Sequence, residues 1–532
     1  MYLINLETSG NQAYIFASNK LRNITGASEL LYRVGTKYVE LALKKVSGRD
    51  FKIENIIDEQ PIENQNSPDF EIIIATSGKA LLLAKNREAA KNFITEWSKI
   101  VITEAPGVDA LAVCSENSFE PSSSITEYIK VFRETEREMT LLRINEGSSL
   151  ARFQRIPVTA ECVYSGFPAS FIEDDKPISE KSLAQRKASN DSDIKFRMKK
   201  LFPVLENTGS NILNGLESLE KLDWLAVIHA DGNGLGQLFI NLAEYVQNLA
   251  GEKATGRDYI NYYRKFSSAL DKISWLAFNK AVWQVWGNTE PQIVPIVVGG
   301  DDLTVVMDGY ESLKFAESFM INFCKATQED IDTKTILECS GVKSLGMCAG
   351  ISIAKPHFPF SQSYKLAEEL MKSAKRAKNQ YGADSIAVDF HILYDSVVYS
   401  LSDIRDKIII NNRVLTQKPY IIFQGQTLNH APDYEWQVSH NYDTFKKAVE
   451  AIKYLPSSQA HGVRDDIFSQ QRETQEAEWQ FLLTAYPEFK TMWENVDKNL
   501  NLYTNENDKF STVFLDALEM KKFLDDKEHI SE

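Results

Sequence analysis

The sequence predicts a mixed α/β (α+β) chain built around an antiparallel sheet, and three observations predict it. Two apolar runs, 292–298 and 302–307, flank the tetrapeptide Gly299-Gly300-Asp301-Asp302. A third apolar run, 224–230, ends on Asp231 and passes through Gly232, Asn233 and Gly234 into a helical pattern. Strand-length and helix-length apolar patterns then alternate as far as residue 390. Glycine accepts the left-handed backbone of a tight reversal, so the first observation reads as a hairpin. Short continuous apolar runs bounded by glycine read as buried strands.

In chain order, the strand 224–230 leads into a helical region over 234–283, interrupted by Gly251 to Gly256. The hairpin strands follow, then a helix over 310–327 and a strand over 346–354. The order is βαββαβ, a ferredoxin-like antiparallel sheet with helices on one face. One more helix, 362–380, and one more strand, 384–390, complete the region. Leu366, Leu370, Met371, Ala374 and Ala377 keep helical spacing in that helix. Lys372, Lys375, Arg376 and Lys378 are left off the apolar stripe, where a solvated face is the plain reading for Lys372 and Arg376.

Neighbouring carboxylates repel unless a cation lies between them, so Asp301 and Asp302 read as ligands of a hard metal, with a solvated hairpin tip as the alternative. Asp231 alone is equally a turn residue or a helix cap. If the strand before it lies beside the hairpin, Asp231 and Asp301 meet on one rim. Magnesium or manganese held there takes substrate phosphates as further ligands. Gly232, Asn233, Gly234, Gly299 and Gly300 then supply close-lying backbone for a bound nucleotide, and the helix N-terminus favours its anionic groups.

Four motifs, Asp231-Gly-Asn-Gly-Leu-Gly236, Gly299-Gly-Asp-Asp302, Cys348-Ala-Gly-Ile-Ser-Ile-Ala354 and Leu370-Met-Lys-Ser-Ala-Lys-Arg-Ala-Lys378, stand in that order. Together they resemble the second palm domain of the large subunit of type III CRISPR effector complexes, a family related to GGDEF diguanylate cyclases and nucleotidyl cyclases. The resemblance implies that Asp231 and Asp301 bind metal, that Asp302 is the second hairpin acid, and that Lys375 contacts phosphate. The family often has a second Asp two residues after the first; here that residue is Asn233, which offers an oxygen without a charge. The implied activity is magnesium-dependent nucleotidyl transfer, converting ATP to a cyclic oligoadenylate-type messenger in antiviral defence. Two other readings stand beside it. One is a catalytically silent scaffold of an RNA-guided complex. The other is a diguanylate cyclase, against which Leu303 stands where that family has Phe. The implied partners are nucleoside triphosphates, RNA and other effector subunits. The chain opens directly on palm-like sequence and holds no His-Asp dipeptide, so the family's HD nuclease is not expected.

The same theme recurs more weakly in residues 1–150. Residues 2–16 and 20–31, with the strand-turn-strand from Glu71 to Leu83, resemble the family's first palm, in degenerate form because no acid pair stands in the hairpin. Ser9, Gly10, Ser28 and Ser77 either line a nucleotide pocket there or are ordinary turn and cap residues. Residues 151–222 read as a linker with a degenerate zinc-ribbon-like insertion at Glu161 to Ala169. A structural zinc needs about four Cys or His ligands, and Cys162 is the only cysteine between Cys114 and Cys324, so no zinc is expected. The polar stretch from Glu173 to Asp193 reads as exposed linker, and the basic stretch Lys195 to Lys200 follows it. The second palm occupies 223–395. Residues 396–532 read as a C-terminal helical domain in which Trp436, Trp479, Phe481, Tyr486 and Trp493 belong to the core.

A chain of 532 residues with 43% hydrophobic content exceeds what one core serves, so several domains are expected. A net charge of −15 argues against a protein that coats nucleic acid by itself. No apolar run reaches 18 residues and Glu7 interrupts the apolar start, so no membrane span and no signal peptide are indicated. Five scattered cysteines suit reduced thiols in the cytoplasm.

Overall fold

The computed structural model of the protein describes residues 1–531 other than 59, 65–66, 146, 148–150, 152, 154–156, 191–218, 220, 395–399, 411–412, 424–438, 470–471 and 507–508. Lys195 to Lys200 and Trp436 lie outside the described residues. The chain is a mixed α/β protein. Its first sheet joins β1 (Tyr2–Ser9), β2 (Phe70–Thr76), β3 (Lys79–Ala84) and β4 (Asp109–Cys114) in the order β2-β3-β1-β4, antiparallel throughout. The second joins β5 (Leu225–Gly232), β6 (Ile293–Gly299), β7 (Asp302–Asp308), β8 (Met347–Ala354), β9 (Ala387–Leu393) and β10 (Tyr420–Ile421) in the order β10-β9-β8-β5-β7-β6. Within it, β8-β5-β7-β6 repeats the order of the first sheet, the order a βαββαβ unit generates when its hairpin closes beside its first strand.

The helices that matter for the site are α1 (Leu21–Gly35), α2 (Arg87–Glu104), α3 (Ile125–Asn145), α4 (Glu180–Asn190), α5 (Leu235–Ala250), α6 (Gly256–Trp286), α7 (Ser312–Glu329) and α8 (Phe360–Ala374). Along β5, Ala226, Ile228 and Ala230 face one way, into a core with Phe266, Leu270 and Phe278 of α6 and Phe315 and Phe319 of α7. Leu225 and Val227 face the other, into a core shared with Ile4 and Leu6 of β1, Ile24 and Leu31 of α1, and Phe360 and Tyr364 of α8. Helices on one face are therefore only part of the arrangement. The second face is closed by α8, which packs so tightly that a Cβ on Gly350 would lie 2.0 Å from the Ala367 carbonyl oxygen, and by the N-terminal helices. Burial of both faces is why these strands read as continuous apolar runs.

The two sheets are also joined by polar contacts at their second strands. β6 carries a bulge at Ile296, next to Pro295, which has no N–H for the ladder. The Ile296 carbonyl accepts from the Ser28 hydroxyl of α1. β2 carries a bulge at the corresponding place, and there the Ile72 carbonyl accepts from Arg264 of α6 at 3.0 Å. Arg257 and Arg264 both pair with the fully buried Glu71. Burial opposes ionisation of that carboxyl, and the Arg257 and Arg264 guanidiniums hold it below its ordinary range.

Three expectations are corrected. Glu173 to Asp193 is not exposed linker over its described part: Phe171–Glu173 and Lys176–Ile178 form a hairpin, and α4 lies on α1, with the Gln185 carbonyl oxygen 1.7 Å from where a Gly26 Cβ would stand. Its buried groups are largely polar, Ser179, Lys181, Ser182, Gln185 and Ser189 beside the apolar Ile178 and Ala188, so an apolar count sees only part of them. The C-terminal part is not purely helical, since 409–410, 413–414, 504–506 and 509–511 form a small four-stranded sheet. Trp479 and Trp493 are core and Tyr486 packs against it, whereas Phe481 is 69% exposed on the outer side of the helix Arg472–Ala485.

Candidate metal and nucleotide site

Strand register brings the acids together. Asp231, near the end of β5, pairs directly with Asp302, the first residue of β7, and Gly299 pairs with Asp302 from the other side. Asp301 sits in the turn between. The reversal needs the positive φ of Gly300, +59°. It also needs the bare backbone of Gly232, where a Cβ would come within 2.6 Å of the Asp301 Cβ. Gly232 N donates to the Asp301 carbonyl at 3.1 Å. From α6, Ser274 donates to the Gly300 carbonyl, and the Asp271 carboxylate lies 2.9 Å from where a Gly299 Cβ would stand. The hairpin tip is thus clamped from the strand beside it and the helix behind it.

The result is one cluster of three carboxylates, Asp231, Asp301 and Asp302, each offering an oxygen with all of these atoms within 4.8 Å of one another. Asp231 and Asp301 are half-buried and Asp302 is exposed. Burial, then the charges of Asp302 and Asp231, push Asp301 up to about 8; burial, then Asp231, pushes Asp302 up to about 6. Repulsion of this kind is what a hard divalent cation relieves, and an all-oxygen donor set at strand ends open to solvent suits magnesium or manganese. Lys375 supplies positive charge, its ammonium paired with Asp231. The helix expected over 362–380 breaks at this residue, between α8 and Arg376–Tyr381.

Not every predicted residue faces this cluster. Asn233 is fully buried and its side chain turns inward, with Nδ2 donating to the Ser385 carbonyl at 2.7 Å and Oδ1 accepting from Cys348 at 3.4 Å. It fixes the turn after β5 and offers no oxygen to a ligand, which corrects its place among the nucleotide-binding residues. Gly234 precedes α5, and Lys378 Nζ lies 3.8 Å from where its Cβ would stand. In the N-terminal unit, Ser9 ends β1, Gly10 caps the short helix Asn11–Ile15, and Ser77 is exposed in the β2–β3 turn. The Ser28 hydroxyl is engaged at the β6 bulge.

The sequence alone did not mark Ser274, which holds the hairpin carbonyl, or Tyr364, whose ring stacks on Phe16 at 4.0 Å and lies 5.3 Å from that of His229. Burial, then Glu368, Asp302 and Asp231, raise the Tyr364 hydroxyl above its usual range. Nothing local announces either residue. Among the described residues no helix is long and apolar enough to cross a membrane.

Residues 224–387 match the family described as Cas10/Cmr2, second palm domain. No curated protein sequence matches the chain. Among solved structures, a Csm1-Csm4 cassette in complex with cA4 is similar at 12% identity and TM-score 0.51, over 98% of this chain and 69% of that one. Csm1 of T.onnurineus is similar at 13% identity and TM-score 0.48, and a Csm1-Csm4 cassette in complex with pppApApA at 12% and 0.46, each over 98% of this chain and 69% of the other. At such identities the first of these likenesses establishes a shared fold.

Proposed function

We propose, given that the chain carries a Cas10/Cmr2 second palm domain over residues 224–387, that it is a divalent-metal-dependent nucleotidyltransferase joining ATP into a cyclic oligoadenylate-type messenger. The observation that carries the reading is the meeting of Asp231, Asp301 and Asp302 within 4.8 Å on a rim that also presents Lys375. In the reaction, the 3′-hydroxyl oxygen of one nucleotide bonds to the α-phosphorus of another, the bond to the β-phosphate breaks, pyrophosphate leaves and the hydroxyl proton passes to solvent. Magnesium or manganese held by the three carboxylates would polarise the phosphate and acidify the hydroxyl.

The chain's own residues do the rest. Lys375 offsets charge on the departing pyrophosphate. The Gly299-Gly300 turn and the free amides at the start of α5 give phosphate oxygens close backbone donors. Ser274 and Gly232 keep the tip rigid, so that hydroxyl and phosphorus meet in a fixed geometry. The N-terminal unit, with the same strand order, is read as a first palm that holds the partner nucleotide. The C-terminal part is read as a supporting domain. A solved relative was crystallised with Csm4 and cA4; we extend both classes of partner, a neighbouring effector subunit and adenylate ligands, to this chain, with antiviral defence as the setting.

Purified protein incubated with each radiolabelled nucleoside triphosphate and magnesium, resolved by chromatography, tests the reading. ATP should give oligoadenylate and pyrophosphate, and GTP little product. A silent nucleotide-holding scaffold is the second reading, favoured by Asn233, which leaves the rim without a fourth carboxylate; it predicts ATP binding with no product in the same assay.

A further inference from the structure

The segment from Cys162 to α4 has no part in that chemistry, yet four of its side chains form one linked cluster. Two residues separate Cys162 from Ser165, the spacing of a C-x2-C pair, and Ser179 and Ser182 repeat that spacing after the hairpin. The Cys162 thiol and the Ser182 hydroxyl are 3.4 Å apart, Ser182 and Ser179 3.2 Å, and Ser179 and Ser165 3.0 Å. These three contacts string the four side chains together. Backbone amides point at three corners: Tyr164 N donates to Cys162 Sγ at 3.4 Å, Phe167 N to Ser165 Oγ at 3.4 Å, and Ser182 N to Ser179 Oγ at 3.3 Å. Gly166 turns the chain after the first pair with a φ of +63°. The second pair sits where α4 begins.

A turn with two ligands, a hairpin, and a helix N-terminus with two more is the plan of a tetrahedral zinc site, in which amide-to-sulfur bonds orient the ligands. The donor set here does not fit zinc. Serine hydroxyls stay protonated at neutral pH, and a single sulfur cannot hold the ion in competition with water. Cys162, Ser179 and Ser182 are buried, so each unpaired polar group would carry a desolvation penalty, and these contacts pair them with one another.

We propose that Cys162, Ser165, Ser179 and Ser182 stand at the four ligand positions of a tetrahedral metal knuckle in which hydrogen bonds among the four side chains have replaced the ion. The hairpin and α4 then fold without metal, and the same geometry accepts one zinc or cobalt once the three serines are thiols. The knuckle carries α4 onto α1, the helix that bears Ser28, so its integrity is felt across the interface between the two sheets.

The test uses the full chain with Asp301→Asn and Asp302→Asn, which silence the acidic rim, with and without Ser165→Cys/Ser179→Cys/Ser182→Cys. Both are expressed with zinc, reduced, stripped of metal and titrated with cobalt. The thiol variant should take up one cobalt per chain with the visible bands and sulfur charge-transfer absorption of a tetrahedral thiolate site, and zinc should displace it. The parent should show neither band, and a chelator should leave its melting temperature unchanged. Stoichiometric zinc in the parent would overturn the replacement of metal by hydroxyls. A thiol variant that folds and binds nothing, or stays unfolded even with zinc, would overturn the four-position geometry. Independently, Ser165→Ala/Ser179→Ala/Ser182→Ala should lower the melting temperature by several degrees, and an unchanged melt would show that the hydroxyl contacts hold nothing.

Discussion

Replacing Asp301 and Asp302 with asparagine should stabilise the metal-free protein, and by more as pH rises. Burial and the neighbouring charges raise Asp301 from 3.8 to about 8 and Asp302 to about 6. Both carboxyls titrate in the unfolded chain near the ordinary value. Between those limits the folded state binds more protons than the unfolded one, so stability falls with rising pH and levels off above the folded value of Asp301. At about 1.4 kcal/mol per unit, the rise from about pH 5 to about pH 8 costs at most about 4 kcal/mol through Asp301. Asp302 is exposed, Asp301 is half-buried and Lys375 stands beside them, so screening should leave roughly 1–2 kcal/mol. For a unit of this size that is a gap of roughly 3–6 °C in melting temperature. Differential scanning fluorimetry in a chelator, at about pH 5.5 and about pH 8.5, measures the gap between wild type and Asp301→Asn/Asp302→Asn. A gap that stays constant with pH, or a double variant that melts lower than wild type at the higher pH, would refute the claim that these acids strain the metal-free fold.

Lys375→Gln removes both the partner of Asp231 and the charge that faces pyrophosphate. Calorimetry should show magnesium binding no weaker than in wild type, while ATP turnover falls at least about tenfold. Asp231→Ala should reduce product by on the order of a hundredfold or more, whereas Ser77→Ala, at an exposed turn, should stay within about twofold; comparable losses in a product assay would move the chemistry to the N-terminal unit. Asn233→Asp would restore the family's acid in sequence but bury a charge against the Ser385 carbonyl. It should lose roughly 2–4 kcal/mol in chemical denaturation and gain no magnesium affinity.

What the sequence made legible were the features whose cause is local. Gly300 and the acids around it marked the hairpin, and Gly251 to Gly256 marked the gap between α5 and α6, because a turn is written in the residues that make it. The break at Lys375 was hidden, since Lys-Ser-Ala-Lys-Arg-Ala-Lys is a good helix former throughout. Asn233 was misassigned because an amide turned inward to Ser385 and one turned outward to a ligand have the same letter. The contact between Ser28 and Ile296 joins residues far apart in the chain, and no periodicity encodes it. α4 was read as linker because its buried face is largely polar, Lys181, Ser182, Gln185 and Ser189 beside Ala188.

The central claim is that Asp231, Asp301 and Asp302 form one site for a metal-bound adenine nucleotide. Electron paramagnetic resonance of manganese, titrated into the protein with a non-hydrolysable ATP analogue, tests it most directly. Wild type should bind manganese far more tightly with the analogue than without it, and Asp301→Asn/Asp302→Asn, folded by its melt, should lose that nucleotide-dependent binding. A double variant that binds manganese and analogue as tightly as wild type would contradict the account.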